Sequence, residues 1–113
     1  MKNDSIIETK TFDFAMEIVK LYKNTVNSNN HTLLNQLLRS GTSIGANVAE
    51  GERGQTKADF LSKMNIALKE ANETKYWLRL LHETKYLGNE CYGLIDRVDE
   101  IMSILVAITK NKS

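Results

Sequence analysis

A chain of 113 residues can bury roughly two-thirds of its unfolded surface in one core and is too short for two independent domains. Hydrophobic residues make up 42% and charged residues 26%, a balance that excludes a disordered chain. Fifteen basic and fourteen acidic residues leave a formal net charge of +1, which argues against a dedicated phosphate-backbone binder, since such proteins carry a basic excess.

Four amphipathic segments follow one another. The first is predicted as a helix over about 11–27, where Phe14, Ala15, Ile18, Leu21, Tyr22 and Val26 recur at spacings of three and four. The turn-forming run Asn24-Thr25-Val26-Asn27-Ser28-Asn29-Asn30 should end it. The second helix is predicted over about 32–50, with Leu33, Leu34, Leu37, Leu38, Ile44 and Val48 on its apolar face. Gly41, Gly45 and Ala49 are spaced four apart on that helix, and such a strip of small residues lets another backbone approach closely. Gly51 reads as the stop.

Thr56 with Asp59 resembles a capping box opening a third helix over about 57–86. Phe60, Met64, Ala67, Ala71, Leu78 and Leu81 then follow alternating steps of four and three, with Thr74 the polar residue in register. Gly88 reads as its terminator and Asn89 as a cap for a fourth helix over about 90–109, whose stripe is Cys91, Leu94, Val98, Ile101, Leu105 and Ile108. Short polar connections between such segments favour neighbouring antiparallel helices. The prediction is an all-α, up-and-down four-helix bundle occupying 1–113 as one domain.

The single cysteine, Cys91, forms no internal disulfide, so the fold does not depend on an oxidising compartment. The start of the chain does not look like a signal peptide, and the longest uninterrupted apolar stretch, Ile104 to Ile108, is far short of a membrane span. A cytoplasmic location without membrane contact is the expectation. Proline is absent, which permits long helices.

The stretch Leu38-Arg39-Ser40-Gly41-Thr42-Ser43-Ile44-Gly45-Ala46-Asn47-Val48-Ala49-Glu50-Gly51 resembles the signature of the "four helix bundle protein" family. That family was first noticed as products of intervening sequences inside large-subunit ribosomal RNA genes. Phe60-Leu61 and Ala67-Leu68-Lys69-Glu70-Ala71-Asn72-Glu73-Thr74 resemble a second family region, and the aromatic-rich start around Phe12 to Tyr22 fits as well. Gly45 stands where the family often has proline, and the loop Glu52-Arg53-Gly54-Gln55 keeps one basic residue where relatives often have more. The resemblance implies a left-handed up-and-down bundle, a ring-like homopentamer and no established enzymatic activity. It also implies kinship with accessory proteins of diversity-generating retroelements, which bind nucleic acid.

Candidate chemistry is sparse. A di-iron site in a bundle needs Glu-x-x-His pairs, but Arg79 precedes His82 by three positions and Ser28 precedes His31 by three, so no metal or other cofactor is expected. Cys91 lies in register with the apolar stripe and reads as a buried thiol. Ser43 has no nucleophile-elbow setting, and Gly51-x-x-Gly54 lacks the rest of a phosphate loop. Arg39, Asn47, Glu50, Glu70 and Glu73 are read as a polar network bonding across helices, with ligand or nucleic-acid contact as the alternative.

Ile66, Trp77 and Leu80 form a second stripe on the third helix, roughly 80–100° from the main one at 3.6 residues per turn; it reads either as a widening of the core stripe or as a subunit interface, and the family resemblance favours the interface. Arg53, Lys57 and Lys63 are the candidate nucleic-acid contacts, although the cations of this helix alternate with acids, and Tyr76 adds one stackable ring. The expectation is a non-enzymatic, self-associating scaffold or interaction module, with a nucleic-acid-binding accessory as the alternative.

Overall fold

The computed structural model describes residues 5–27 and 31–111. Four helices follow in chain order: α1 (Ile6–Thr25), α2 (His31–Glu52), α3 (Lys57–Glu83) and α4 (Glu90–Asn111). At about 1.5 Å per residue, the 27 residues of α3 span about 40 Å, close to the long axis of a molecule measuring 44 × 20 × 20 Å. The helices therefore all lie along that axis, and short connections make consecutive ones antiparallel. The pairing confirms the direction. Glu8 reaches Arg53, Thr11 lies against Gly45, Ile18 against Gly41, and Tyr22 bonds Asn35, so numbers rise on α1 as they fall on α2. α4 closes the ring by packing against both α3 and α1, while α1 and α3 sit on a diagonal, as do α2 and α4. The molecule is an all-α, up-and-down four-helix bundle.

The core is the stripe that the spacing marks out. Phe14 and Ile18, Leu34, Leu37, Ile44 and Val48, Met64, Ala67, Ala71, Leu78 and Leu81, and Cys91, Leu94, Val98, Ile101 and Leu105 are buried together. Ile7 and Leu87 extend it at one end each of α1 and the α3–α4 connection. Among the described residues no helix is long and apolar enough to cross a membrane.

Several helix ends differ from the sequence reading. α1 begins five residues earlier than expected, because Ser5 caps it by accepting from the Glu8 N–H at 3.1 Å. Its stripe thus starts at Ile7 and includes buried Thr11, whose hydroxyl donates to the Ile7 carbonyl at 2.8 Å. α1 ends at Thr25, and the remainder of the expected turn, 28–30, lies outside the described residues.

Gly51 does not stop α2. It is buried inside the helix, where a Cβ would sit 3.0 Å from both Lys63 Cβ and Met64 Cε, so its smallness lets α3 start close by. α3 ends at Glu83 rather than Tyr86, and Gly88 is not its terminator. Lys85 takes the left-handed position (φ 68°) while the Tyr86 N–H bonds the Leu81 carbonyl and the Lys85 N–H the His82 carbonyl. That is the six-to-one and five-to-two pattern of a Schellman end, with lysine where glycine is usual. Thr56 does open α3, accepting from the Asp59 N–H at 3.0 Å.

Candidate functional site

Of the five polar residues singled out in the sequence, Arg39, Glu70 and Glu73 come together, while Glu50 and Asn47 each stand apart. Glu70 and Glu73 are three apart on α3, so their carboxylates share a face. Arg39, at mid-α2, forks between them: Nη1 donates to Glu70 Oε1 at 3.1 Å and Nη2 to Glu73 Oε2. Glu73 Oε2 also accepts from Trp77 Nε1 at 3.0 Å. Bonding to Arg39 first, and to Trp77 second, holds the Glu73 carboxyl below its ordinary range, and the same contact with Glu73 pushes Arg39 up. Beneath this cluster the Thr74 and Ser40 hydroxyls lie 2.9 Å apart, buried and hydrogen-bonded between α3 and α2.

Glu50 belongs elsewhere, paired with Lys63 across the same two helices at 2.8 Å. Asn47 stays on its own helix, donating to the Ser43 carbonyl at 2.9 Å. Arg53 faces Glu8 of α1 at 3.2 Å and donates to the Ala49 carbonyl at 2.9 Å. Of the three candidate cations for nucleic-acid contact, two are thus matched to carboxylates; Lys57 is exposed and makes no ion pair among the described residues.

The small-residue strip of α2 receives α1. A Cβ on Gly45 would meet the Thr11 carbonyl oxygen at 3.2 Å, and one on Gly41 would meet Ile18 Cγ1 and Cγ2 at 3.0 Å. Its outer edge, with Gly45 and Ala49, floors a groove of about 330 Å³ beside Phe12. A larger cleft of about 590 Å³ opens between α1 and α4, lined by Leu21, Leu94 and Gly93 with Glu17, Lys20 and Arg97 around it.

Apolar side chains remain outside. Phe12, Met16 and Val19, at steps of four and three on α1, are 63%, 43% and 39% exposed. This stripe is not legible in the sequence as a surface feature, because apolar residues on a helix face read as core until the register is known. Of the interface candidates on α3, Ile66 is 38% exposed, while Trp77 and Leu80 are half-buried on the flank that carries Glu73.

The cysteine thiol is closed off. Cys91 is fully buried, and burial pushes its thiol up to about 11, so it is neither accessible nor ionised at neutral pH. Among the described residues no group of three or more His, Cys, Asp or Glu side chains could hold a metal ion.

The model of the 23S rRNA-intervening sequence protein family matches residues 3–107. A crystal structure of a protein of unknown function from the S23 ribosomal protein family, from Bacteroides thetaiotaomicron VPI-5482, superposes with a TM-score of 0.88 at 48% sequence identity, covering 93% of this chain and 99% of that one. A search of curated proteins finds none that matches. The chain belongs to the 23S rRNA-intervening sequence protein family.

Proposed function

We propose that this chain is a single helical domain that binds further copies of itself, a non-enzymatic scaffold or interaction module of the cytoplasm. The observation that carries the proposal is the outward stripe Phe12, Met16 and Val19 on α1. α1 already buries Ile7, Phe14 and Ile18 in the bundle, so a second apolar face on it has no use within one copy. Contiguous exposed apolar surface of this kind marks contact sites.

A second copy is the fitting occupant. Ile66, with half-buried Trp77 and Leu80 about three to four turns further along the same side of α3, offers a further apolar set diagonal to α1 across the bundle. Two different faces, one on each side of the molecule, make a head-to-tail contact, and such contacts close into rings when the rotation allows. A ring of five, implied by the family resemblance, is the expected size. A net charge of +1 puts no strong repulsion between copies. Nucleic-acid contact through Arg53 and Lys63 has less support, since each already faces a carboxylate.

The test is solution mass by light scattering at tens of micromolar, on the wild type and on Phe12→Glu and Ile66→Glu. The wild type is expected as a multimer. Each variant should shift toward monomer while keeping a helical circular dichroism spectrum, because both side chains lie outside the core. A monomeric wild type overturns the reading.

A further inference from the structure

We infer that the cleft between α1 and α4 binds a short apolar peptide by its two free ends. The cleft measures about 590 Å³, within the range of small-ligand sites. Its wall is apolar. Leu21 of α1 is half-buried, and Leu94 of α4, at 8%, is the most exposed core residue of its helix, where Cys91, Val98, Ile101 and Leu105 reach 2% at most. Glu17 and Leu21 stand roughly 140–180° around α1 from Phe12 at 3.6 residues per turn, so the cleft is separate from the stripe proposed for self-association.

Gly93 lines the cleft from within α4, and a Cβ there would meet nothing within 4 Å. Glycine weakens a helix interior relative to alanine, and no neighbour in the chain requires one at this position. A bare backbone suits close approach from outside.

The lining charges sort into two kinds. Glu17 and Lys20 pair with each other at 3.6 Å. Arg97 is half-buried and makes no ion pair or hydrogen bond among the described residues. Glu90 makes no ion pair among them either; its charge acts on its neighbour Cys91. Glu90, Gly93 and Arg97 recur at steps of three and four, so the bare backbone lies between a carboxylate and a guanidinium on one face of α4.

That order sets the chemistry of the occupant. At about 1.5 Å of rise per residue, Glu90 and Arg97 are about 10 Å apart along the helix. An extended chain advances about 3.3–3.6 Å per residue, so about three residues cover that span. The terminal carboxylate would accept both prongs of Arg97, the terminal ammonium would donate to Glu90, and apolar side chains would lie on Leu21 and Leu94. A free amino acid holds its two charges too close together to meet both. A fatty acid would leave Glu90 without a partner, and an alkylamine would leave Arg97 without one.

The test is isothermal titration calorimetry of the whole chain with alanyl-leucyl-alanine and with its N-acetyl and C-terminal amide forms. The free peptide should bind, and each block should cost roughly ten-fold in affinity, the worth of one charge-assisted hydrogen bond. In Arg97→Gln the free and amide forms should bind alike, and in Glu90→Gln the free and acetyl forms should bind alike. Lys23→Gln, on an exposed residue of α1 outside the cleft, should leave all three affinities unchanged. Gly93→Leu should abolish binding by filling the cleft, with the helical circular dichroism spectrum kept. Absence of binding at millimolar peptide, equal binding of the three forms by the wild type, or a wild-type affinity in folded Gly93→Leu overturns the inference. Octanoate binding as tightly as the peptide overturns it too, since one charged end would then suffice. The blocked peptides act on the unaltered chain, so they decide the matter even if a variant misfolds.

Discussion

Cys91 shows how one buried group couples the bundle to pH. Its thiol has no exposure, and burial, with a smaller contribution from the charge on Glu90, raises it from 9.0 to about 11. A raised value means that the folded chain holds the proton when the unfolded chain has begun to lose it. The stabilisation is present below pH 9 and is lost as pH rises from 9 through about 11. Each unit is worth about 1.4 kcal/mol, so the loss amounts to a few kcal/mol at most. Other groups also titrate there, and the measurement is therefore a difference. Urea unfolding from pH 8 to 11 should show stability falling more steeply in the wild type than in Cys91→Ala, whose starting stability is lower because of the cavity. Parallel curves for the two proteins would remove Cys91 as the cause. Buried polar groups elsewhere are neutral and satisfied: Thr11 bonds the carbonyl of Ile7, and Ser40 and Thr74 bond each other, so neither site should add pH dependence in this range.

At the scale of helices, the same substitution should have opposite effects at two glycines. A methyl group added to the Cα of Gly93 on α4 would find no atom within 4 Å, whereas at Gly41 on α2 that methyl meets Ile18 at 3.0 Å. Alanine gains up to about 1 kcal/mol of helix propensity over glycine in either place. At Gly93 nothing opposes the gain, so Gly93→Ala should raise the melting temperature by a few degrees. At Gly41 the fully buried Ile18 must move, and overpacking costs about 1–3 kcal/mol, so Gly41→Ala should lower it. Calorimetry at matched protein concentration reads both. A gain at Gly41 would mean that α1 slides on α2 freely, contrary to the packing.

The same helices show what is readable in the sequence. The four-three rhythm of α3 and α4 is unbroken by any core residue other than Thr74, and both are legible as helices. The start of α1 is not, because Thr11 interrupts the apolar pattern; the signal that finds it is Ser5 followed by Glu8, a capping pair. Gly51 and Gly88 read as stops, but a glycine stops a helix through a left-handed backbone, and here Lys85 takes that position. The shared face of Glu70 and Glu73 follows from spacing alone. The partners Lys63 for Glu50 and Glu8 for Arg53 do not, since ion pairs across helices depend on register, which no single helix encodes.

For the molecule as a whole, the seams between helices are unequal. α2 is seated on α1 through Gly41 and Gly45 and on α3 through Gly51, the Ser40–Thr74 bond and the Arg39 fork. The α1–α4 seam is spanned by the Lys10–Glu100 ion pair near one end and opens into the 590 Å³ cleft near the other. An exposed pair of that kind contributes about 0–1 kcal/mol and lies away from the cleft, so it does little to hold the cleft end closed. Local opening follows packing, and amides in sparsely packed stretches exchange first. Hydrogen exchange read by mass spectrometry should therefore be faster at Leu21–Thr25 and Gly93–Arg97 than at Ile44–Val48 or Ala67–Ala71. Self-association adds a second contrast. If copies meet on Phe12, Met16 and Val19, raising the concentration should slow exchange around those residues and leave the cleft end of α4 unchanged. Protection that rises equally at both places would move the contact to the cleft, and protection that rises at neither would leave the α1 stripe without a partner.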